Sequence, residues 1–251
     1  MDQSVPGAPV AAWWFLPLAA FLVLVLFERA SSRRPDAHAS RADHALNLAG
    51  LAVQGVVIPG AGYLIATRLL APTWPHLAGS LEIGWWGAFA LNFVFVDLLY
   101  YAQHRLFHRF RVLWALHECH HASRAMSVWA TSRNSLLVNF LFVYMLVNPL
   151  LGFLCDRPDG FFAGAVLTAS LDLWRHARLP AFLAPAWLGR VLVTPAHHHL
   201  HHDPDGQRVN FGANLMLWDR LFGTAQEPQG YPARYGTPNP PGPWRQFLFP
   251  W

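Results

Sequence analysis

The sequence predicts an all-α protein, a multi-pass membrane helical bundle of about four to five apolar segments with a cytoplasmic histidine-rich helical cap. Three observations predict it. Of 251 residues, 54% are hydrophobic and only 13% charged, a balance that fits a membrane protein better than soluble domains. The apolar residues gather into long runs. The 14 histidines also gather, into clusters that fall at the ends of those runs or in the chain between them.

Taken in order, the first run, Ala11 to Phe27, is 17 uncharged residues long, with Trp13 and Trp14 at its start and Glu28, Arg29, Arg33 and Arg34 after it. That length is at the short end for a span. The residues before it hold Asp2 and no basic side chain, unlike a signal peptide, so the run reads as a retained anchor. Further runs cover 46–70, 83–101, 136–155 and 161–174. The last two are joined by the turn-rich Asp156-Arg157-Pro158-Asp159-Gly160 and read as a helical hairpin, spanning or re-entrant. The 20 residues from Pro232 on, with five further prolines, read as irregular.

All 18 basic residues are Arg. If five segments cross, 16 of these lie on one face, leaving only Arg68 and Arg157 on the other. Arg-rich short loops stay in the cytoplasm, so all the histidine clusters and the C-terminus are expected there, in a bacterial inner membrane. A sequence pI near 9.5 also raises nucleic-acid binding. The Arg residues are dispersed between apolar runs instead of forming a stripe, and no nucleic-acid partner is expected. Cys119 and Cys155 fall on opposite sides, which argues against a disulfide.

The pattern His-x-x-His-His occurs twice, at His117/His120/His121 and His198/His201/His202, with His104 and His108 upstream. His104 and His108 are spaced i, i+4, so a helix continuing the 83–101 run presents both on one face. Nine residues then separate His108 from His117, which on an unbroken helix would turn the second cluster to the opposite side. If both bind one centre, the chain must bend within 109–116, where no Gly or Pro marks the place. In the third cluster Thr194 is a candidate N-cap with Pro195 in the first turn, and Asp203-Pro204-Asp205-Gly206 ends the helix. His198, His201 and His202 share its face, His197 lies at the margin, and His199 points away as a surface residue.

Eight neutral imidazoles exceed the needs of one ion and suit Fe, Zn, Cu or Ni, which makes two ions the economical reading. A ligating histidine needs its other ring nitrogen held by an acceptor. Asp97, seven residues before His104, and Asp172, four before His176, stand at suitable offsets.

The stretches Asp97 to His108, Leu113 to Ser123, Thr194 to Asp203 and Asn210 to Thr224, the last ending Trp-Asp-Arg-Leu-Phe-Gly-Thr, resemble the fatty acid hydroxylase and sterol desaturase superfamily of integral-membrane di-iron oxidases. The resemblance covers roughly 83–224. It implies that His104, His108, His117, His120, His121, His198, His201 and His202 are metal ligands, with His176 a ninth and His197 a tenth candidate. It further implies two Fe ions, with Zn in a purified or inactive form, O2, and hydroxylation or desaturation of a lipid C–H bond. Having no cysteine set for an iron–sulfur cluster, the chain would need a separate electron-donor protein. Residues 81–224 would form the catalytic domain, 1–80 the N-terminal membrane segments and 225–251 an irregular Pro-rich tail. Trp218, Asp219 and Arg220 would brace the third cluster, and the apolar 181–193 stretch would lie at the membrane interface beside a substrate entrance. Three departures from the family pattern stand out: Arg133-Asn134-Ser135-Leu136 where Arg-x-His-Pro is common, Arg178 where Asn is usual, and Glu118 within the second cluster.

Two other classes compete. His117-Glu118-Cys119-His120-His121 also satisfies the His-Glu-x-x-His signature of zinc hydrolases, with Glu118 as general base. That reading leaves the other clusters unexplained. A metal transporter or binding protein would be expected to place its ligands at the bilayer midplane, whereas these gather toward the cytoplasmic ends.

Overall fold

The computed structural model describes residues 15–30, 39–205 and 208–248. Among these, nine helical segments account for the architecture: α1 (Phe15–Ala30), α2 (Arg41–Thr73), α3 (Gly84–Arg109), α4 (Arg111–His121), α5 (Leu137–Leu154), α6 (Pro158–His176), α7 (Pro195–His201), α8 (Met216–Leu221) and α9 (Pro243–Phe247). Extended pairing is limited, among the described residues, to isolated bridges at Leu81–Cys155 and Leu192–Leu215.

Helices α2, α3 and α5, of 33, 26 and 18 residues, are long and apolar enough to cross a membrane. The other two apolar runs form shorter or more polar helices. Helix α1 has 16 residues, positions 11–14 of the expected anchor lying outside the described residues. Helix α6 carries Asp159, Asp172 and Arg175 within its 19 residues. Each of the three long helices contains π turns, one of them (Leu91–Val96) immediately before Asp97.

Helix α6 does more than return from α5. It packs on α3 and α1, and Gly160 and Gly164, four apart, make the close approach to α3 possible. A Cβ on Gly160 would meet the Trp85 carbonyl at 2.3 Å, and one on Gly164 the Asn92 Cβ at 2.9 Å. The turn before α6 also docks on α3, since the Asp156 carboxylate accepts from the Ile83 and Gly84 amides, each at 3.1 Å. Gly84 has φ +67°, a left-handed conformation that glycine adopts without Cβ strain. At the other end of α6, the buried Glu28 at the foot of α1 accepts from the amides of Val128 at 3.2 Å and Arg178 at 2.9 Å.

Helix α2 opens with a capping box: Ser40 Oγ accepts from the Asp43 amide at 3.1 Å and Asp43 Oδ2 from the Ser40 amide at 2.9 Å. The other Asp43 oxygen pairs with Arg133, a guanidinium only 1% exposed. Arg133 also donates to the Cys119 carbonyl and to Gln246 Oε1, both at 2.9 Å. One side chain thus joins α2, α4 and the C-terminal segment, whose short helix α9 packs on α4 and α2, while the Leu136 amide donates to the Phe247 carbonyl at 2.7 Å. Both cysteines are buried and free.

Arg133→Ala would leave the Asp43 carboxylate and the Cys119 carbonyl buried without their partner. The expected loss is roughly 3–5 kcal/mol, against about 2 kcal/mol for Gln246→Ala, which removes two hydrogen bonds, one with Arg133 and one with the Pro241 carbonyl. Denaturant unfolding of the detergent-solubilised protein measures both, and equal stability of the two variants would contradict this hierarchy.

Candidate metal centre

Nine of the ten histidines singled out from the sequence come together in two groups. His104 and His108 from α3, His117 and His121 from α4 and His201 from α7 form the first; His120 from α4, His176 from α6, and His198 and His202 at α7 form the second. Within each group one ligand-capable nitrogen per residue lies within 4.8 Å of every other, and all nine rings are buried. The adjacent pairs divide between the groups: His120 and His121 go to different groups, as do His201 and His202. The groups therefore share a wall, in which the rings of His121 and His202 stack at 4.2 Å and 19°.

Local structure produces this convergence. The bend required between the first two clusters falls at Phe110, whose extended backbone (φ −113°, ψ 128°) separates α3 from α4 and folds them against each other. Helix α7 starts at Pro195 after Thr194, whose backbone is that of an N-cap. The Thr194 hydroxyl, however, makes its bond to His197 Nδ1 at 2.7 Å instead of capping a helix amide.

The tautomers follow from the partners. The Nδ1 atoms of His104, His201, His120 and His176 face main-chain carbonyls of Phe211 (2.8 Å), Val209 (2.8 Å), Arg133 (3.0 Å) and Asp172 (2.7 Å). A carbonyl only accepts, so each Nδ1 carries the proton and each Nε2 turns a lone pair inward. Those Nε2 atoms meet other Nε2 atoms: His104–His117 at 3.0 Å, His121–His201 at 3.2 Å, His176–His198 at 3.0 Å and His120–His202 at 3.1 Å. The buried His108 Nε2 has no hydrogen-bond partner at all. At least four neutral imidazoles thus turn lone pairs into the two groups, a donor set suited to a cation. Two imidazoles bound at roughly 2.1 Å stand no more than about 4.2 Å apart, so these separations fit an ion in each group.

Burial keeps six of these rings neutral. It lowers His120 to about 3 and His201 to about 4, and holds His117, His121, His198 and His202 well below the usual range, with neighbouring rings adding to the effect.

Several expected roles change. The Asp172 carboxylate does reach His176 Nδ1, at 3.1 Å, and also pairs with Arg175 at 2.7 Å. Asp97 meets no ring; its carboxylate accepts from the amides of Asn214 (2.8 Å) and Leu215 (3.0 Å) and from Trp218 Nε1 (3.0 Å). Asp219 likewise accepts from the amides of Phe211 and Gly212 at 2.8 and 2.7 Å. These acids hold the 210–215 loop, which presents the Phe211 carbonyl to His104. Trp218 and Asp219, expected as braces of the third cluster, act on the loop that faces His104, Trp218 through Asp97, and Arg220 donates to the carbonyls of Gly189 and Arg190. His197 lies outside both groups, its Nε2 facing Glu227 at 3.2 Å. His199, expected at the surface, is fully buried, between Tyr235 and the His176 carbonyl. Main-chain carbonyls as histidine partners leave no trace in side-chain identity, and reading the sequence missed them.

Unfolded histidines protonate near pH 6.5, whereas these folded rings resist protonation until far lower. As pH falls below about 6.5 the unfolded chain therefore binds more protons, and stability that is fully present above that value is lost progressively. The metal-free protein is expected to show a steadily falling unfolding midpoint from pH 7 to pH 5; a constant midpoint would contradict the burial of neutral rings.

Comparison with known proteins identifies relatives. The sequence profile of the fatty acid hydroxylase family matches residues 89–224. The chain is 32% identical to alkylglycerol monooxygenase of Xenopus tropicalis over 158 residues, 62% of this chain and 33% of that protein. It is 32% identical to alkylglycerol monooxygenase of Danio rerio over 166 residues, 64% of this chain and 36% of that protein. To ornithine lipid hydroxylase OlsE of Rhizobium tropici it is 30% identical over 141 residues, 55% of this chain and 41% of that protein. The chain thus spans about a third of the length of the two monooxygenases. No solved structure matches. The profile covers more than half of the chain and every histidine of the two groups, and the chain belongs to the fatty acid hydroxylase family.

Proposed function

We propose that this chain carries the catalytic unit of a membrane-bound, non-haem di-iron enzyme that uses O2 to hydroxylate a lipid. The observation that carries this reading is the pair of adjoining groups, five and four buried imidazoles, with their ring nitrogens turned inward. Neutral imidazole is a good ligand for iron. Two iron ions held there would supply O2 activation and oxidation of an unactivated C–H bond. Hydroxylation is favoured over desaturation because the relatives' names are those of a monooxygenase and a hydroxylase. Alkylglycerols and ornithine lipids both join a polar head to a hydrocarbon chain, so we assign the substrate to that class of amphiphile.

In this reading His104, His108, His117, His121 and His201 hold one ion and His120, His176, His198 and His202 the other. The carbonyls of Phe211, Val209, Arg133 and Asp172 keep the Nδ1 protons outward, and Asp97 and Asp219 act at one remove by fixing the loop of Phe211. Residues 81–224 form the catalytic domain, with 1–80 the N-terminal membrane segments and 225–251 an irregular Pro-rich tail. Helix α3 carries apolar, exposed Phe95 and Leu106 on the same element as His104 and His108, so a lipid lying along it approaches the centre without leaving the apolar phase. Exposed Phe182, Trp187 and Val191 suit the interfacial entrance expected for 181–193. The Arg distribution supports a cytoplasmic centre, and with no cysteine set for an iron–sulfur cluster the electrons would come from a separate donor protein.

The zinc-hydrolase alternative is disfavoured. His117 and His121 belong to a group of five imidazoles, whereas a catalytic zinc keeps three protein ligands and an open position.

Elemental analysis of protein purified from iron-replete cells is expected to give two irons per chain, with one lost in His120→Ala or His104→Ala and both kept in Glu118→Gln. With O2 and a reductant, the wild type is expected to add one oxygen atom to an ether or amino-acyl lipid. A single tightly held zinc, with no iron taken up anaerobically, would overturn the di-iron reading.

A further inference from the structure

His199 has no place in the donor set just described, yet it is completely buried. It follows His198 on α7, and its ring reaches back to the end of α6. Its Nε2 lies 3.1 Å from the main-chain carbonyl of His176, and its Nδ1 2.7 Å from the Tyr235 hydroxyl. The carbonyl can only accept, so Nε2 carries the proton, Nδ1 accepts, and Tyr235 donates. Each polar atom of the pair has one role and one partner. The Tyr231 ring packs against the other side of His199 at 4.7 Å, and its hydroxyl bridges the Leu179 amide (3.2 Å) and carbonyl (3.0 Å).

His176 is the last residue of α6, where carbonyls lack intrahelical donors and the chain is free to fray. It is also the only member of the second group that α6 supplies; His120 comes from α4, and His198 and His202 from α7. The contact between His176 Nδ1 and Asp172 orients the ring, but Asp172 lies in the same helix and moves with it. It leaves the distance from α6 to α7 unset. His199 sets that distance, because α7 presents the His198 Nε2 to the His176 Nε2 at 3.0 Å and, through the next residue, grips the His176 main chain.

We propose that His199 and Tyr235 form a positioning pair that holds His176 in register with His198, and so governs how tightly the second group binds its metal. The inference rests on the metal-centre reading above. It gives the C-terminal segment a part in the centre: Tyr235, beyond the 89–224 family region, completes the second group from outside.

The test is a titration of the metal-free, detergent-solubilised full chain with cobalt(II), followed by its visible d–d absorption and by bound metal per chain. The wild type is expected to bind two ions. His199→Phe, which keeps the ring and removes both hydrogen bonds, should leave the first ion unchanged and weaken the second by roughly 10- to 100-fold, the usual effect of losing a supporting contact. His199→Gln should recover most of that loss, because its amide N–H can donate to the carbonyl while its oxygen accepts from Tyr235. A merely structural role would not produce such selective weakening and recovery. If His199→Phe does not fold, Tyr235→Phe carries the test, with a several-fold weakening of the second ion at an unchanged unfolding midpoint. Wild-type affinity for the second ion in the folded His199→Phe protein, or failing that in Tyr235→Phe, overturns the pair's role and leaves the metal centre standing. A wild type that binds no second ion overturns both.

Discussion

The arrangement depends on where four imidazole protons go. Because carbonyls of Phe211, Val209, Arg133 and Asp172 hold the Nδ1 protons of His104, His201, His120 and His176, the opposite nitrogens must face inward as bare lone pairs. Those lone pairs face the Nε2 atoms of His117, His121, His198 and His202 at 3.0–3.2 Å. The surrounding structure enforces this convergence, and a cation is its natural occupant.

Much of the remaining structure can be understood as that enforcement. The close approach of α6 to α3 at Gly160 and Gly164 brings the end of α6, with His176, alongside the other groups. Asp97 and Asp219 satisfy four main-chain amides of the 210–215 loop, so the carbonyl facing His104 sits on a fixed backbone. Arg133 plays a similar part for the second group. Its guanidinium binds the Cys119 carbonyl while its own carbonyl receives His120 Nδ1, which links the ionic network with Asp43 to a ring of the centre. These are buried charges with full sets of partners, the condition under which buried charge is tolerated.

Division of the His-His pairs between the two groups has a geometric consequence. Neighbouring residues on a helix point about 100° apart, so His120 and His121 diverge into adjoining sites, and His201 and His202 do the same from the facing element. Two sites built from shared pairs cannot be far apart, and a displacement of either helix affects both. Neutral, deeply buried rings also make the set ready for metal at physiological pH without prior loss of protons.

Long apolar runs and the i, i+3, i+4 spacing of the histidines are local properties, so the sequence alone determined that α2, α3 and α5 are suited to a membrane and that His104/His108, His117/His121 and His198/His201/His202 share helix faces. Given a shared metal centre, it also called for a bend after His108, because nine residues on an unbroken helix of 3.6 residues per turn would turn His117 to the opposite side. Only the tertiary structure decided which face meets which. It assigned His120 and His121 to different groups, left His197 with Thr194 and Glu227, and turned His199 inward onto His176. It moved Asp97 from a histidine's partner to a loop's, and packed the short helix of the Pro-rich tail onto α2 and α4. The physical reason is that such partners are settled by packing between segments distant in sequence, and most of them are main-chain carbonyls and amides, which every residue possesses alike.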